Sequence, residues 1–295
     1  MSEPVAPIQN LGEGVADKAK QLFTTSANES WIIILVLGVM ILLVIIVVYI
    51  FQMIQNNKMK NVVMHDKLID LGNKSVVPYL VKDDKLSLVS NGQEYSYSFW
   101  IFLSNTYDST DKFKPIIHRG NTNITSNIYS PSTSPLISMD KTTNKMYIAV
   151  STLAVSVDMT SDQIFQQDQN TGKFTSGHLV TYIDYVSLQR WVNVVLVIRD
   201  SNMYVYLDGD IYSTTNVMEV NSSTRSMIKG TQGNLVIGDS QSSTNGYISQ
   251  TSFFNYALTQ KEIAKLYKNG PAKSSWLALF GLGNYGVRSP VYELE

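Results

Sequence analysis

The stretch "WIIILVLGVMILLVIIVVYIF", residues 31–51, constrains this chain more than any other: it runs for 21 residues without a charge. As a helix rising about 1.5 Å per residue it reaches about 31 Å, the thickness of a bilayer's hydrocarbon core. Its many Ile and Val residues do not argue for a strand, because lipid leaves the backbone amides only a helix or a closed barrel. Trp31, Tyr49 and Phe51 stand at its ends, where aromatic rings favour the membrane interface. A cleaved signal peptide needs a basic start and a shorter apolar stretch, whereas thirty residues of mixed composition come first. The span reads as a transmembrane helix, residues 31–51.

In the preceding segment, 1–30, Leu11, Val15, Ala19, Leu22 and Phe23 recur at helical spacing. This amphipathic pattern admits two readings, an interfacial helix or a helix packed on a neighbouring protein. Lys18 and Lys20 lie on the N-terminal side of the span among Glu3, Glu13, Asp17 and Glu29, while Lys58, Lys60, Lys67 and Lys74 follow it. The positive-inside rule therefore places the C-terminal part on the cytoplasmic side. Met53, Ile54, Met59, Val62, Val63, Leu68 and Ile69 then suggest a helical stalk, 52–79, with a helix stop at Leu71-Gly72-Asn73 before Pro78.

Beyond residue 80 the texture changes to short runs of β-formers separated by Asn, Ser, Thr, Asp and Gly. Candidate strands cover 86–90, 95–103, 114–119, 136–139, 145–150, 179–186, 191–199, 203–207, 235–237 and 247–254. This implies an all-β sandwich or barrel. Asp208-Gly209 marks a tight hairpin, which makes three consecutive antiparallel strands from residue 191 onward, with Tyr204 and Tyr206 on one face and Met203, Val205 and Leu207 on the other. Residues 121–134 and 160–177 read as long loops.

Composition excludes several functions. A net charge of −1 without any basic block leaves nothing to attract phosphate backbones, so nucleic acid is not an expected partner. With no cysteine there are no disulfides, thiolate nucleophiles or Cys-based metal sites. The three histidines, His65, His118 and His178, lack metal-ligand spacing, and His118 is expected at the surface or a sheet edge. No nucleophile–base set assembles, so the chain is not expected to be an enzyme.

Five segments appear in a telling order: "YSYSFWIFL", "KPIIHRG", "LQRWVNVVLVIRDSNMYVYLDGDI", "NLVIGD" and "NGYISQTSFFNYALTQKEIAKLYKNG". Together they resemble the laminin-G-like or pentraxin-like branch of the concanavalin A-like lectin/glucanase superfamily over about residues 80–270. That resemblance implies a jelly-roll β-sandwich, 80–270, whose last strand runs into a short helix. Thr259 would be the helix cap and Ile263, Leu266 and Tyr267 its apolar side, plugging one edge of the sandwich. Glu262, three residues after Thr259, has the spacing of a capping box.

Glucanases of the superfamily carry two glutamates in an E-x-D-x-(x)-E pattern, yet Glu94, Glu219 and Glu262 have no such context. Asp208 and Asp210, the other candidate carboxylate pair, read as turn residues. Many members hold calcium at a sandwich rim, and Asp108, Asp111, Asp158 and Asp239 are the loop carboxylates that such a site would draw on, although they form no recognisable ligand series. No other cofactor is expected. The tail, 271–295, carries Trp276, Leu277, Leu279 and Phe280 beyond the resemblance, as a strap on the sandwich or, preferred here, a partner-binding segment.

An N-terminal membrane helix joined to such a sandwich is similar to membrane proteins of large double-stranded DNA viruses, which hold an internal membrane beneath an icosahedral shell. That likeness implies a non-catalytic minor capsid protein, with lipid and capsid or scaffold proteins as partners, at the interface of virion membrane and shell. The alternative is a carbohydrate-binding adhesin with Tyr129, Tyr182, Tyr185 and Tyr212 as stacking platforms. A membrane-bound glycoside hydrolase is the third.

Overall fold

The computed structural model describes residues 34–51, 63–65, 68–86, 94–104, 111–120, 122–123, 127–220, 227–239 and 244–271, in two compact units that divide after Lys60. The first contains helix α1, Ile34–Phe51, long and apolar enough to cross a membrane. All its side chains are exposed, Tyr49 and Phe51 at its end included. Trp31 and the segment around Leu11–Phe23 lie outside the described residues.

The second unit is a β-sandwich. Its strands are β1 (Val63–His65), β2 (Ile69–Asp70), β3 (Tyr79–Val81), β4 (Tyr95–Leu103), β5 (Lys114–Arg119), β6 (Thr122–Asn123), β7 (Ile128–Tyr129) and β8 (Leu136–Met139). There follow β9 (Met146–Val150), β10 (Met159–Thr160), β11 (Leu179–Ile183), β12 (Trp191–Arg199), β13 (Asn202–Leu207), β14 (Asp210–Asn216), β15 (Leu235–Ile237) and β16 (Gly246–Phe254). Three helices interrupt them: α2 (Ser161–Ile164), α3 (Val217–Val220) and α4 (Gln260–Asn269). One sheet has the order β1-β16-β4-β12-β13-β14, with β2 also on β16; the other has the order β11-β9-β8-β5-β15-β3, and β10-β7-β6 form a small third sheet. All named pairs are antiparallel.

Period-2 alternation fills the space between the two large sheets. Tyr95, Tyr97, Phe99, Ile101 and Leu103 of β4 point inward beside Val192, Val194, Leu196 and Ile198 of β12, and meet Ile117, Ile137 and Ile148 from the opposite sheet. The Asp208-Gly209 turn has φ values of 51° and 89°, the left-handed geometry expected of a tight hairpin. At Gly209 a Cβ would also stand 3.4 Å from the Tyr267 ring. The inner face of β13 holds Met203 and Val205, with Tyr204 and Tyr206 on the other side, as the alternation requires.

Four expectations are corrected. The helical stalk does not extend through residues 63–70: β1 and β2 are strands, because pairing with β16 supplies backbone partners that a helical hydrophobic spacing cannot reveal. Leu86 closes a 3-10 turn, Asp83–Lys85, instead of opening a strand. The supposed loops 121–134 and 160–177 contain β6, β7 and α2. Finally, α4 does not plug an edge but lies on the outer face of the first sheet. There Tyr267 stacks on the buried Trp100 of β4, with centroids 5.7 Å apart at 13°. Ser96 Oγ donates to Tyr256 O at 2.9 Å and accepts from Leu258 N at 3.0 Å, so an outward serine fastens the approach to the helix. The capping box stands as expected, with Glu262 Oε2 accepting from Thr259 N at 2.8 Å.

Candidate functional site

In a two-sheet sandwich a cleft across a sheet opens on an outer face, and both outer faces here carry cover from the chain itself. Helix α4 lies over Trp100 and the 208–209 turn on the first. On the second, Tyr147 of β9, Val180 and Tyr182 of β11 and Leu136 of β8 point outward, and the excursion 159–177 folds back over them. Thr160 and Gln163 form a capping box that starts α2. Ile164, Phe165 and Phe174 then bring their side chains onto the sheet, with Phe165 4.9 Å from Phe113 and 5.2 Å from Tyr147 between ring centroids. Edge-on and tilted ring pairs of this kind add to the burial of apolar area.

At the margin of this cover lies a polar rim. Lys145 Nζ stands 4.2 Å over the Tyr182 ring and 3.2 Å from Asp184 Oδ1. Tyr212 Oη donates to Asp184 Oδ2 at 3.3 Å and accepts from Asp184 N at 3.0 Å, which ties β14 to the end of β11. Partial burial pulls the Lys145 ammonium down, but Asp184 and the adjoining tyrosines outweigh it, and its pKa is raised. A second pair, Lys141 Nζ and Asp162 Oδ1 at 2.5 Å, sits over Phe113. Of these residues Tyr182 and Tyr212 stand out in the sequence, whereas Lys141, Lys145, Asp162 and Asp184 do not; the signal for the Lys145–Asp184 pair is the register of β9 with β11, which sets Tyr147 opposite Tyr182 and leads on to both.

Of the four tyrosines expected to offer platforms, Tyr129 is buried and Tyr182 half-buried, while Tyr185 and Tyr212 are 59% and 40% exposed. The carboxylates of the supposed calcium rim do not converge. Asp111 and Asp158 are exposed on separate loops, Asp239 follows β15 half-buried, and Asp108 lies outside the described residues. Among the described residues no three His, Asp or Glu side chains group closely enough to hold a metal ion. Glu262 is committed to its capping box and Asp208 to the Asn193 backbone N–H, at 2.8 Å, and to Arg190. The tail residues Trp276, Leu277, Leu279 and Phe280 also lie outside the described residues.

His118 is not at the surface: it is 3% exposed on β5, between β8 and β15, with the Tyr129 ring edge-on at 5.5 Å. Burial, opposed in part by Asp239, pushes its pKa down to about 4. Burial likewise holds His178 at about 4 against the Ser176 hydrogen bond. An unfolded imidazole takes its proton near 6.5, so above that pH neither state is protonated, and as pH falls from about 6.5 to about 4 the unfolded state gains protons first and stability drops. His118→Phe is expected to shrink the loss in denaturant midpoint between about pH 7 and about pH 5. A loss equal to the parent's would assign the pH response elsewhere.

Beside His118, Arg119 turns into the core and is 1% exposed. Its Nε donates to Gly233 O at 3.0 Å, its Nη2 to Asp83 Oδ1 at 2.9 Å, and its guanidinium lies 4.7 Å from the Phe253 ring centre. Tyr97 Oη and Thr231 Oγ1 are 3.0 Å apart nearby, as are Tyr95 Oη and Ser134 Oγ. This polar set anchors loops at one end of the sandwich.

Comparison with known proteins finds no match among curated ones. Among solved structures, the binding domain of botulinum neurotoxin serotype G aligns at 14% identity and TM-score 0.46, covering 70% of this chain and 44% of that one. The binding domain of serotype D aligns at 13% and 0.43, covering 70% and 46%. The chain thus spans less than half the length of these structures. A laminin-G-type family model matches residues 79–264, well over half of the chain and almost the whole sandwich, and the protein belongs to the concanavalin A-like lectin/glucanases superfamily.

Proposed function

We propose that this protein is a non-catalytic structural module, in which α1 anchors a lectin-like sandwich to a bilayer and the sandwich holds another protein beside it. The observation that carries this reading is the cover that the chain's own side chains lay on both outer sheet faces, with Trp100 under α4 and Tyr147 under Phe165. A glycosidase needs an open cleft with two carboxyl groups across it. Here the face is aromatic and covered, and of the carboxylates around it Asp162 and Asp184 are each paired with a lysine, while Asp140 Oδ2 accepts from Thr143 Oγ1 at 2.6 Å.

The finer form of the proposal is a minor capsid protein that links an internal membrane to its shell. The lysine-rich flank after the span supports it by favouring a cytoplasmic, shell-facing sandwich. The tail with Trp276, Leu277, Leu279 and Phe280 is the proposed grip on the partner. A second reading, a carbohydrate-binding adhesin, draws on the exposed Tyr185 and Tyr212 beside Asp184.

Protease protection of the full chain in sealed membranes, with a tag at each end, separates the two. The C-terminal tag is expected on the cytoplasmic side, and cross-linking should then recover a shell or scaffold protein. A lumenal tag overturns the capsid form and directs the next test to glycan binding, with Tyr185→Ala and Tyr212→Ala as the reporting variants.

A further inference from the structure

We propose that the end of the sandwich at which β1 begins is a lipid-contact surface, where Leu153, Val157, Met218 and Met227 enter the interface of a bilayer. The proposal rests on reading α1 as a membrane anchor and goes beyond it by assigning part of the sandwich itself to lipid.

The strand register places these residues at one end. Val63, the first residue of β1, pairs with Phe253, whose ring lies 5.0 Å from Tyr97. Neighbouring Tyr95 bonds to Ser134, and Ser134 Oγ accepts from Ser151 N at 3.3 Å, just where β9 has ended. From there the loop carries Leu153 and Val157, and Leu153 N donates to Met227 O at 2.9 Å. On the other sheet Tyr95 pairs with Ile198, which brings the turn after β12 to the same end, and Val217 N donates to Ser201 O at 3.0 Å, so α3 and Met218 are there too.

These four side chains are 60%, 56%, 62% and 47% exposed in the order named, although their loops are pinned. Val155, Val217 and Ile228 from the same loops are each only 2% exposed. Lys229 Nζ braces two loops by donating to Val155 O at 2.6 Å and Pro131 O at 3.1 Å. Apolar groups are thus displayed on fixed backbone.

Two observations favour lipid as the occupant. Only eleven residues, 52–62, separate Phe51 of α1 from Val63, so this end is tethered within about 40 Å of the helix end. The four side chains are also purely aliphatic and thioether, without the aromatic anchors typical of protein interfaces, and the charges exposed beside them include Arg199 at the end of β12, a cation that suits anionic headgroups; exposed Tyr185 and Tyr212 occupy the opposite end. Apolar groups of an interfacial element sit about 5–10 Å deep, at the boundary of headgroups and acyl chains.

The parent chain has no cysteine, so single substitutions can each carry one environment-sensitive nitrobenzoxadiazole label. Leu153→Cys, Val157→Cys, Met218→Cys and Met227→Cys, with Tyr185→Cys and Ile211→Cys as comparisons, would be reconstituted as full-length protein in phosphatidylcholine–phosphatidylserine vesicles. Lipids bearing a nitroxide on the upper acyl chain are expected to remove most of the emission from the first four labels and little from the last two. Equal quenching of both groups, or none in the first, overturns the proposal. A blue shift without lipid quenching assigns the surface to protein, either this chain's own tail, a second copy or another partner, and also overturns it. Alkaline extraction keeps the two readings apart: a chain released from the vesicles refutes the anchor and this proposal together, whereas a retained but unquenched chain refutes this proposal alone.

Discussion

Trp100→Ala costs the sandwich about 3–5 kcal/mol, the range for removing a large aromatic from a packed site. Trp100 is 2% exposed at the centre of its sheet, and the Tyr267 ring of α4 lies flat against it. The loss therefore falls on the docking of the helix as well as on the sheet. In denaturant the midpoint drops, and amide exchange across Gln260–Asn269 accelerates beyond the change seen in β12. A cost below about 1 kcal/mol with α4 still protected would mean that the helix is held by Ile263 and Leu266 alone.

The second large effect is at Arg119. Arg119→Met costs about 3 kcal/mol, because the substitution strands the Gly233 carbonyl and removes the guanidinium packed on Phe253. Its acidic partner behaves differently. The Asp83 side chain is 49% exposed, so water competes for the ion pair, and Asp83→Asn should cost under about 1 kcal/mol. Equal losses in the two variants, read from urea midpoints, would show that the ion pair and not the buried hydrogen bonding dominates.

Much of this sandwich was legible where structure is local. β4, β5, β8, β12 and β15 have the boundaries that alternation and turn residues imply. The Thr259–Glu262 cap and the Asp208-Gly209 turn follow from short-range geometry alone. Partners far away in sequence decided the rest. Val63 and Ile69 fit a helical spacing, and become strand only because Phe253 and Ile248 wait nearly two hundred residues downstream. Ile164, Phe165 and Phe174 were hidden in a polar segment whose purpose is visible only once Tyr147 and Tyr182 face it. The candidate rim was less legible still. Tyr185 and Tyr212 stand out in the sequence, but the Lys145–Asp184 pair beside them depends on strand register, and the burial of His118 on β5 being an inner strand.

The pairing of β1 with β16 also governs how the domain bears force. β1 is an edge strand held by three residue pairs, from Val63 opposite Phe253 to His65 opposite Thr251. Tension arriving along the chain from the N-terminal side reaches Val63 first. If the sandwich is gripped through the chain that leaves β16, both loaded ends meet at one end of an antiparallel ladder, whose bonds then open one after another, as in a zipper. A grip at the opposite end, near Tyr185, loads the same bonds together in shear. The choice of handhold thus sets the strength of the link, and in either case β1 yields before the long β4–β12 ladder is strained.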